Sequence, residues 1–318
     1  MFCRRLALAS ASLLLLLASG GFSAEKPESN PTAPAKKAGQ SKARQKVEVE
    51  PGKEHVYKTS AGVERKMEIY FPADWDPRAS KVPGVILFHG GGWTGGNLNQ
   101  FRYACKYLAS RGLVAATAEY RMLKKPEIAA LPAGESHKRV CITDAKSAIR
   151  WMKQHAGELG IDPNRLITGG GSAGGHVSLL ATNNPGLNDP ADPKEFDTKV
   201  VAYLLFNPAL GKDTVADAEV DLVPHLKAEL PPALFLFGSN DTDWKKGTDV
   251  ARVKLKELGN TTNELWIAQG QSHGFFNSPP WQDVTITLAD QFLVKHGLLQ
   301  GAATLPVPKH GEKMEKAP

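Results

Sequence analysis

Cysteine is scarce, three in 318 residues, with no Cys-x-x-Cys pair and no Cys/His cluster at metal-ligand spacing. Neither a structural zinc site nor a disulfide framework is indicated. Cys3 falls in the N-terminal leader, which leaves Cys105 and Cys141, both in helical patterns and both read as buried free thiols. Long apolar runs are missing too. The run Leu13–Leu17 is far below the roughly 20 residues that a bilayer-crossing helix needs, and no later segment qualifies, which argues against a transmembrane protein. There is no internal repeat. No Gly-Lys-Ser/Thr follows a glycine run, and no G-x-G-x-x-G opens an early strand-helix unit, so a nucleotide-phosphate loop is not indicated. The formal charge of +6 sits in residues 1–24, 25–48 and 309–318. The remainder is near neutral and has no basic face, so nucleic acid is not an expected partner.

What is present divides the chain into four stretches. Residues 1–24 carry Arg4 and Arg5, then the apolar run, then small residues at Ala18, Gly20 and Ala24. That order is the grammar of a signal peptide and predicts a secreted or periplasmic mature chain. Residues 25–48 hold Pro27, Pro31, Pro34 and six basic side chains with almost no large apolar residue, and read as a disordered basic linker. Such a linker has a weak attraction to acidic polymers or envelope surfaces. Residues 49–300 are long enough for one large core. Residues 301–318 read as a flexible tail.

Within the third stretch, strand patterns at 54–58 and 65–71 precede the continuous apolar run 82–88, which reads as a buried central strand. Helices at 99–111, 138–155, 173–182, 245–258 and 281–296 then alternate with strands at 113–119, 165–168, 200–206, 233–237 and 263–268. Alternation of this kind predicts an α/β fold, a mostly parallel eight-stranded sheet flanked by helices, with the first two strands forming an antiparallel edge.

Gly170-Gly171-Ser172-Ala173-Gly174 follows a short strand and opens a helix, the strand-turn-helix setting that lifts a serine hydroxyl above a sheet. A second glycine cluster, His89-Gly90-Gly91-Gly92-Trp93, follows the buried strand. The amides of Gly91, Gly92 and Ala173 are candidate oxyanion donors, and His89 reads as a buried loop-holding residue. A nucleophilic serine needs a base. In the order serine, acid, histidine, only His176, His225, His273, His296 and His310 lie beyond Ser172. His176 precedes every acid candidate, His225 precedes the strand-end acids, His296 ends a helix and His310 is in the tail. His273, on a glycine-flanked loop after the strand at 263–268, remains. The loop after 233–237 supplies Asp241 and Asp243. Asp241, the first carboxylate after the glycine turn, is favoured; Asp243 suits the cap of a helix beginning near Trp244. Trp93, Trp244, Phe275, Phe276 and Trp281 are candidates for lining the mouth of a site, although aromatics near a cleft commonly just pack.

The set His89–Trp93, Gly169–His176, Gly238–Asp243 and Gln269–Phe276 resembles the hormone-sensitive-lipase-like acetyl esterases of the α/β-hydrolase superfamily, in particular the BD-FAE-like group. Asp144–Trp151 and Gly160–Pro163 belong to the same likeness, which runs over most of residues 60–297. The resemblance implies an α/β-hydrolase fold with Ser172, His273 and Asp241 as a catalytic triad, no cofactor and no metal. It places the helices carrying Cys105 and Cys141 on opposite faces of the sheet. The chain departs from the lipase-like members in lacking a helical N-terminal cap; only residues 122–137 and 208–231 offer lid material, so the cap is minimal. An open site suits short acyl groups, acetyl or feruloyl, on bulky alcohols such as polysaccharide. The rivals are an amide-cleaving relative (a peptidase or formamidase) and a catalytically silent binding module. Nothing in the sequence sets an oligomeric state.

Overall fold

The computed structural model describes residues 48–211, 215–306, 308 and 311–318. The leader and nearly all of the basic linker lie outside the described residues. Among the described residues nine strands form one sheet in the order β1-β2-β4-β3-β5-β6-β7-β8-β9. The strands are β1 (Lys53–Ser60), β2 (Val63–Tyr70), β3 (Val82–Phe88), β4 (Val114–Ala118), β5 (Ile161–Gly171), β6 (Ala202–Phe206), β7 (Ala233–Gly238), β8 (Asn263–Ala268) and β9 (Glu315–Ala317). Strands β4, β3, β5, β6, β7 and β8 run parallel, while β1 and β2 pair antiparallel at one edge.

The helices are α1 (Arg102–Ser110), α2 (Lys125–Ala129), α3 (Lys138–Gln154), α4 (Ala156–Leu159), α5 (Ala173–Asn183), α6 (Thr242–Glu257) and α7 (Trp281–Lys295). Two apolar cores lie on the two faces of the sheet, because successive strand side chains point to opposite sides. In β7, Ala233, Phe235 and Phe237 join one core, with Ile142, Leu180 and Leu255 of α3, α5 and α6. Leu234 and Leu236 join the other, with Leu108 of α1 and Phe292 of α7. Both cysteines are buried and free, Cys141 in the first core and Cys105 in the second, so their helices do cover opposite faces.

Three details differ from the sequence reading. The sheet has nine strands instead of eight, because Glu315–Ala317, inside the expected tail, pairs antiparallel with Leu265–Ile267. A three-residue Glu-Lys-Ala strand has no apolar alternation to reveal it. It is held by the open backbone edge of β8 and by Lys316, 3.3 Å from Glu264. Strand β5 is longer than expected, since Ile161 already pairs with Val82. The first helix begins at Arg102, because Leu98–Gln100 form a separate 3-10 turn with the Asn97 side chain accepting from the Asn99 amide at 3.0 Å.

Among the described residues, between β4 and α3 lies only the short α2, and between β6 and β7 only two 3-10 turns, Ala218–Val220 and Val223–His225. These two segments are tied together where Arg139 Nε meets Asp217 at 2.7 Å and the Ser136 amide donates to the same carboxylate at 2.8 Å. No helix among the described residues is long and apolar enough to cross a membrane.

Candidate active site

The carboxyl ends of β3, β5, β7 and β8 converge on Ser172. This serine has φ 50° and ψ −117°, a conformation that a residue with a side chain adopts at a cost. The strain is held from several directions. Its amide donates to Phe206 O at 2.9 Å, and its carbonyl accepts from Gly175 at 3.1 Å and Ala209 at 2.9 Å. The turn also lies against the end of β3 so closely that a Cβ on Gly174 would sit 2.0 Å from Phe88 O, and one on Gly170 2.3 Å from it. Only glycine permits that approach.

His273 stands on the loop after β8. Its Nε2 lies 2.8 Å from Ser172 Oγ and its Nδ1 2.7 Å from Asp241 Oδ2. With a neutral imidazole, Nδ1–H donates to the carboxylate and Nε2 accepts the hydroxyl proton. The Asp241 side chain is 4% exposed and that of His273 36%, so the line runs from a buried charge to an accessible hydroxyl. The loops bearing the two residues are laced together. Asn240 N donates to Gln271 O at 2.9 Å, Ser239 N to Ala268 O at 3.0 Å, and Gly270 N to Ser239 Oγ at 2.8 Å.

Asp243 does not take part. It sits inside α6, 90% exposed, 3.4 Å from Lys246. Nor does it cap the helix: α6 starts at Thr242, Asp241 occupies the position before it, and the Asp241 side chain is turned to His273 instead of the helix amides.

Two contributors escaped the sequence reading. Asn207, buried at the end of β6 with φ 46°, donates from Nδ2 to Asp241 Oδ2 at 2.5 Å. Its Oδ1 meets no donor among the described residues, a cost tolerated where the amide is needed for something else. The only trace in the sequence is an asparagine directly after a strand, a residue type that tolerates positive φ. Gln100 is the second. Its Oε1 accepts from the Gly90 amide at 2.5 Å, and its Nε2 donates to Asn277 Oδ1 at 2.9 Å.

The glycine loop after β3 lies beside Ser172. Gly91 has φ 125°, and a Cβ there would be 2.2 Å from Gly95 O. No backbone carbonyl among the described residues accepts from the loop amides of Gly91 and Gly92 or from Ala173, the first residue of α5. Those N–H groups therefore keep free donor capacity with respect to the backbone. His89 is wholly buried, its ring stacked on Tyr120 with centroids 4.4 Å apart and its Nδ1–H donating to Gly90 O at 2.8 Å. Burial lowers its pKa, which keeps the ring neutral and structural.

The candidate lining aromatics separate into a pair and a trio. Trp244 approaches His273 with ring centroids 6.3 Å apart and meets Trp93 edge-on at 6.1 Å. Trp93 itself is 6% exposed, with its Nε1 donating to His176 Nδ1 at 3.2 Å and Lys138 Nζ 3.8 Å above its ring. It therefore backs Trp244 more than it faces solvent. Phe275 and Trp281 pack edge-on against each other at 5.5 Å and against the α1/α7 core. Phe276 is buried between Phe101 and Phe206. For these three the packing role accounts for the contacts. No group of three or more His, Cys, Asp or Glu among the described residues could hold a metal ion.

Comparison with known proteins adds the family. The BD-FAE family model matches residues 67–204. The structure superposes on apo esterase 2 of Thermogutta terrifontis with a TM-score of 0.71 at 35% sequence identity, over 81% of this chain and 99% of that one. The chain belongs to the α/β-hydrolase esterase family. Solved states of that relative include one with propionate bound (TM-score 0.70, 34% identity, 79% of this chain and 96% of that chain) and one phosphorylated by paraoxon. Among curated proteins, this α/β-hydrolase is 30% identical over 191 residues to the probable carboxylic ester hydrolase LipM of Mycobacterium tuberculosis, covering 51% of this chain and 42% of LipM. It is 32% identical over 108 residues to the carboxylesterase NlhH of the same organism, covering 33% of this chain and 31% of NlhH. The matches thus span less than half the length of these curated relatives.

Proposed function

We propose that this chain is a serine carboxylesterase that hydrolyses short-chain acyl esters through an acyl-enzyme. The observation that carries the reading is the continuous line Ser172 Oγ, His273 Nε2 and Nδ1, Asp241 Oδ2, with steps of 2.8 and 2.7 Å. Ser172 Oγ attacks the ester carbonyl carbon while its proton passes to His273 Nε2, and Asp241 steadies the imidazolium. The carbonyl oxygen becomes negative and is met by the amides of Gly91, Gly92 and Ala173, donors fixed in place before the charge appears. Collapse breaks the bond to the alcohol oxygen, which leaves with the proton from His273. Water then attacks the acyl-enzyme with His273 again as base, and the acid departs with Ser172 restored. The paraoxon-modified relative, an esterase that accepts phosphorylation, supports a nucleophilic serine here.

For the substrate we infer acetyl or feruloyl groups on carbohydrate. Three features support this. The cap is minimal. The cavity beside the nucleophile helix, lined by His176, Leu210, Leu222 and Val223 among others, is apolar and small, about 220 Å³. The more open cavity beside the glycine loop, about 370 Å³, is walled by the carboxamides of Asn97, Asn99, Gln100 and Asn277, groups that both donate to and accept from hydroxyls. The propionate-bound relative is in keeping with a short acyl group. The leader pattern of residues 1–24 supports action outside the cytoplasm.

The test is hydrolysis of p-nitrophenyl acetate, butyrate and decanoate beside acetic acid release from acetylated xylan, with Ser172→Ala as control. Short-chain turnover that extends to xylan and disappears in the variant is expected. Equal turnover of decanoate would contradict the short-acyl reading, and turnover of amides alone would make the chain an amidase.

A further inference from the structure

We propose that Gln100 and Asn277 form a positioning bridge that fixes the spacing between the oxyanion loop and the histidine loop. The inference rests on the serine-esterase reading and adds two residues to its machinery. The donor amides and the general base come from segments far apart in the chain, and they must meet the same substrate carbon from two sides. Gln100 and Asn277 are 177 positions apart and joined by one hydrogen bond of 2.9 Å from Nε2 to Oδ1. At one end, Gln100 Oε1 takes the Gly90 amide at 2.5 Å, one residue before Gly91. At the other, Asn277 Nδ2 donates to Gly274 O at 2.9 Å, one residue after His273. The chain of bonds therefore runs from the residue beside the oxyanion donors to the residue beside the base.

A second observation points the same way. A Cβ on Gly171, the residue before the nucleophile, would lie 3.2 Å from Gln100 Nε2, and one on Gly90 would lie 3.1 Å from Ser172 Cβ and 3.5 Å from Gln100 Oε1. The Gln100 carboxamide thus shares with the Phe276 ring and the Gly171 carbonyl the boundary of the narrow space that glycines at 90 and 171 leave open, and position 90 itself abuts Ser172. Neither carboxamide contributes to the apolar cores, and both face the open cavity of about 370 Å³. Water can reach the polar atoms that truncation would strand, so the fold should survive the loss while the spacing should not. A displacement of about 1 Å at a catalytic group is enough to cost on the order of 100-fold in rate.

The experiment is a double-mutant cycle on the full chain with Gln100→Ala, Asn277→Ala and the double variant, following kcat and KM for p-nitrophenyl acetate and the rate of Ser172 labelling by a fluorophosphonate. Each single variant is expected to lower kcat by about 10- to 100-fold with KM within about twofold, and to slow labelling in parallel. The double variant should be no slower than the worse single, because one bridge can be broken only once. Gln100→Glu, nearly isosteric, keeps the acceptor for Gly90 but loses the donor for Asn277, and should resemble Gln100→Ala; it carries the test should an alanine variant fail to fold. Wild-type rates in the single variants, losses that multiply in the double, or changes confined to KM would overturn the bridge. A wild type that neither turns over esters nor labels would instead overturn the esterase reading beneath it.

Discussion

Two buried polar networks flank the same sheet, and they end differently. Around α3, Lys146 is 1% exposed and its ammonium donates to Asn184 O at 2.7 Å, to Asn188 Oδ1 at 3.1 Å and to Gly186 O. Its three donors are all used. Asp144 nearby is wholly buried, with Lys58 Nζ at 2.8 Å from one oxygen and the Arg121 amide at 2.9 Å from the other. The Ser172–His273–Asp241 line begins in the same way, with a buried carboxylate held by Asn207 and His273, but it finishes on a hydroxyl next to unused amides and open space. A network closed on itself contributes stability and specificity. One left open at a strained residue gives up some stability for chemistry.

The comparison breaks most visibly at its open end. Ser172→Ala should reduce p-nitrophenyl acetate hydrolysis by a factor on the order of 10⁴ or more. Its thermal midpoint should stay level or rise, because the substitution touches no closed network; a calorimetric scan beside the rate assay checks both. Asp241→Asn should come next, with kcat down on the order of 10³- to 10⁴-fold, since an amide cannot hold the imidazole in the required tautomer. A loss below tenfold, measured at saturating substrate, would remove Asp241 from the relay.

The closed network should answer in the opposite currency. Lys146→Met removes the donor to the buried Asn184 carbonyl and the half-buried Gly186 carbonyl, while Asn188 Oδ1 keeps Arg150 at 2.6 Å, and should cost about 1–3 kcal/mol in urea unfolding while leaving kcat of the folded enzyme within about twofold. The smallest effect belongs to the β8–β9 edge. Burial there raises the pKa of Glu264, but Lys295, the Trp266 indole and Lys316 more than reverse it and hold the carboxyl at about 2, against an ordinary 4.5. A depressed carboxyl stabilises the fold fully above about 4.5 and loses that contribution as pH falls towards about 2. Glu264→Gln should therefore flatten the acid limb of stability across that window and leave neutral-pH activity alone.

Much of the site was legible because its local chemistry is written in short segments. Gly170–Gly174 must be glycine-rich where the turn touches Phe88, and the strand-helix alternation around it identified Ser172 from pattern alone. Eliminating histidines by chain order reached His273. The partners that orient these groups were not legible, because each acts across the chain. Asn207 meets Asp241 over 34 positions and Gln100 meets Asn277 over 177, and no periodicity records such distances. The same reason hid β9, whose three residues become a strand only against the free edge of β8. The aromatics misled in a different way. Phe275 and Trp281 follow His273 closely in sequence, yet they pack on each other, whereas Trp244, directly after the Gly238–Asp243 segment, is the ring that approaches His273.

The central claim is that Ser172 is the nucleophile of this α/β-hydrolase. Its most direct test is intact-mass analysis of the purified protein after reaction with a fluorophosphonate, with peptide mapping and Ser172→Ala alongside. One adduct per chain, mapped to Ser172, accompanied by loss of ester hydrolysis and missing from the variant, is the predicted result. An adduct on another residue, or ester hydrolysis persisting in Ser172→Ala, would contradict it.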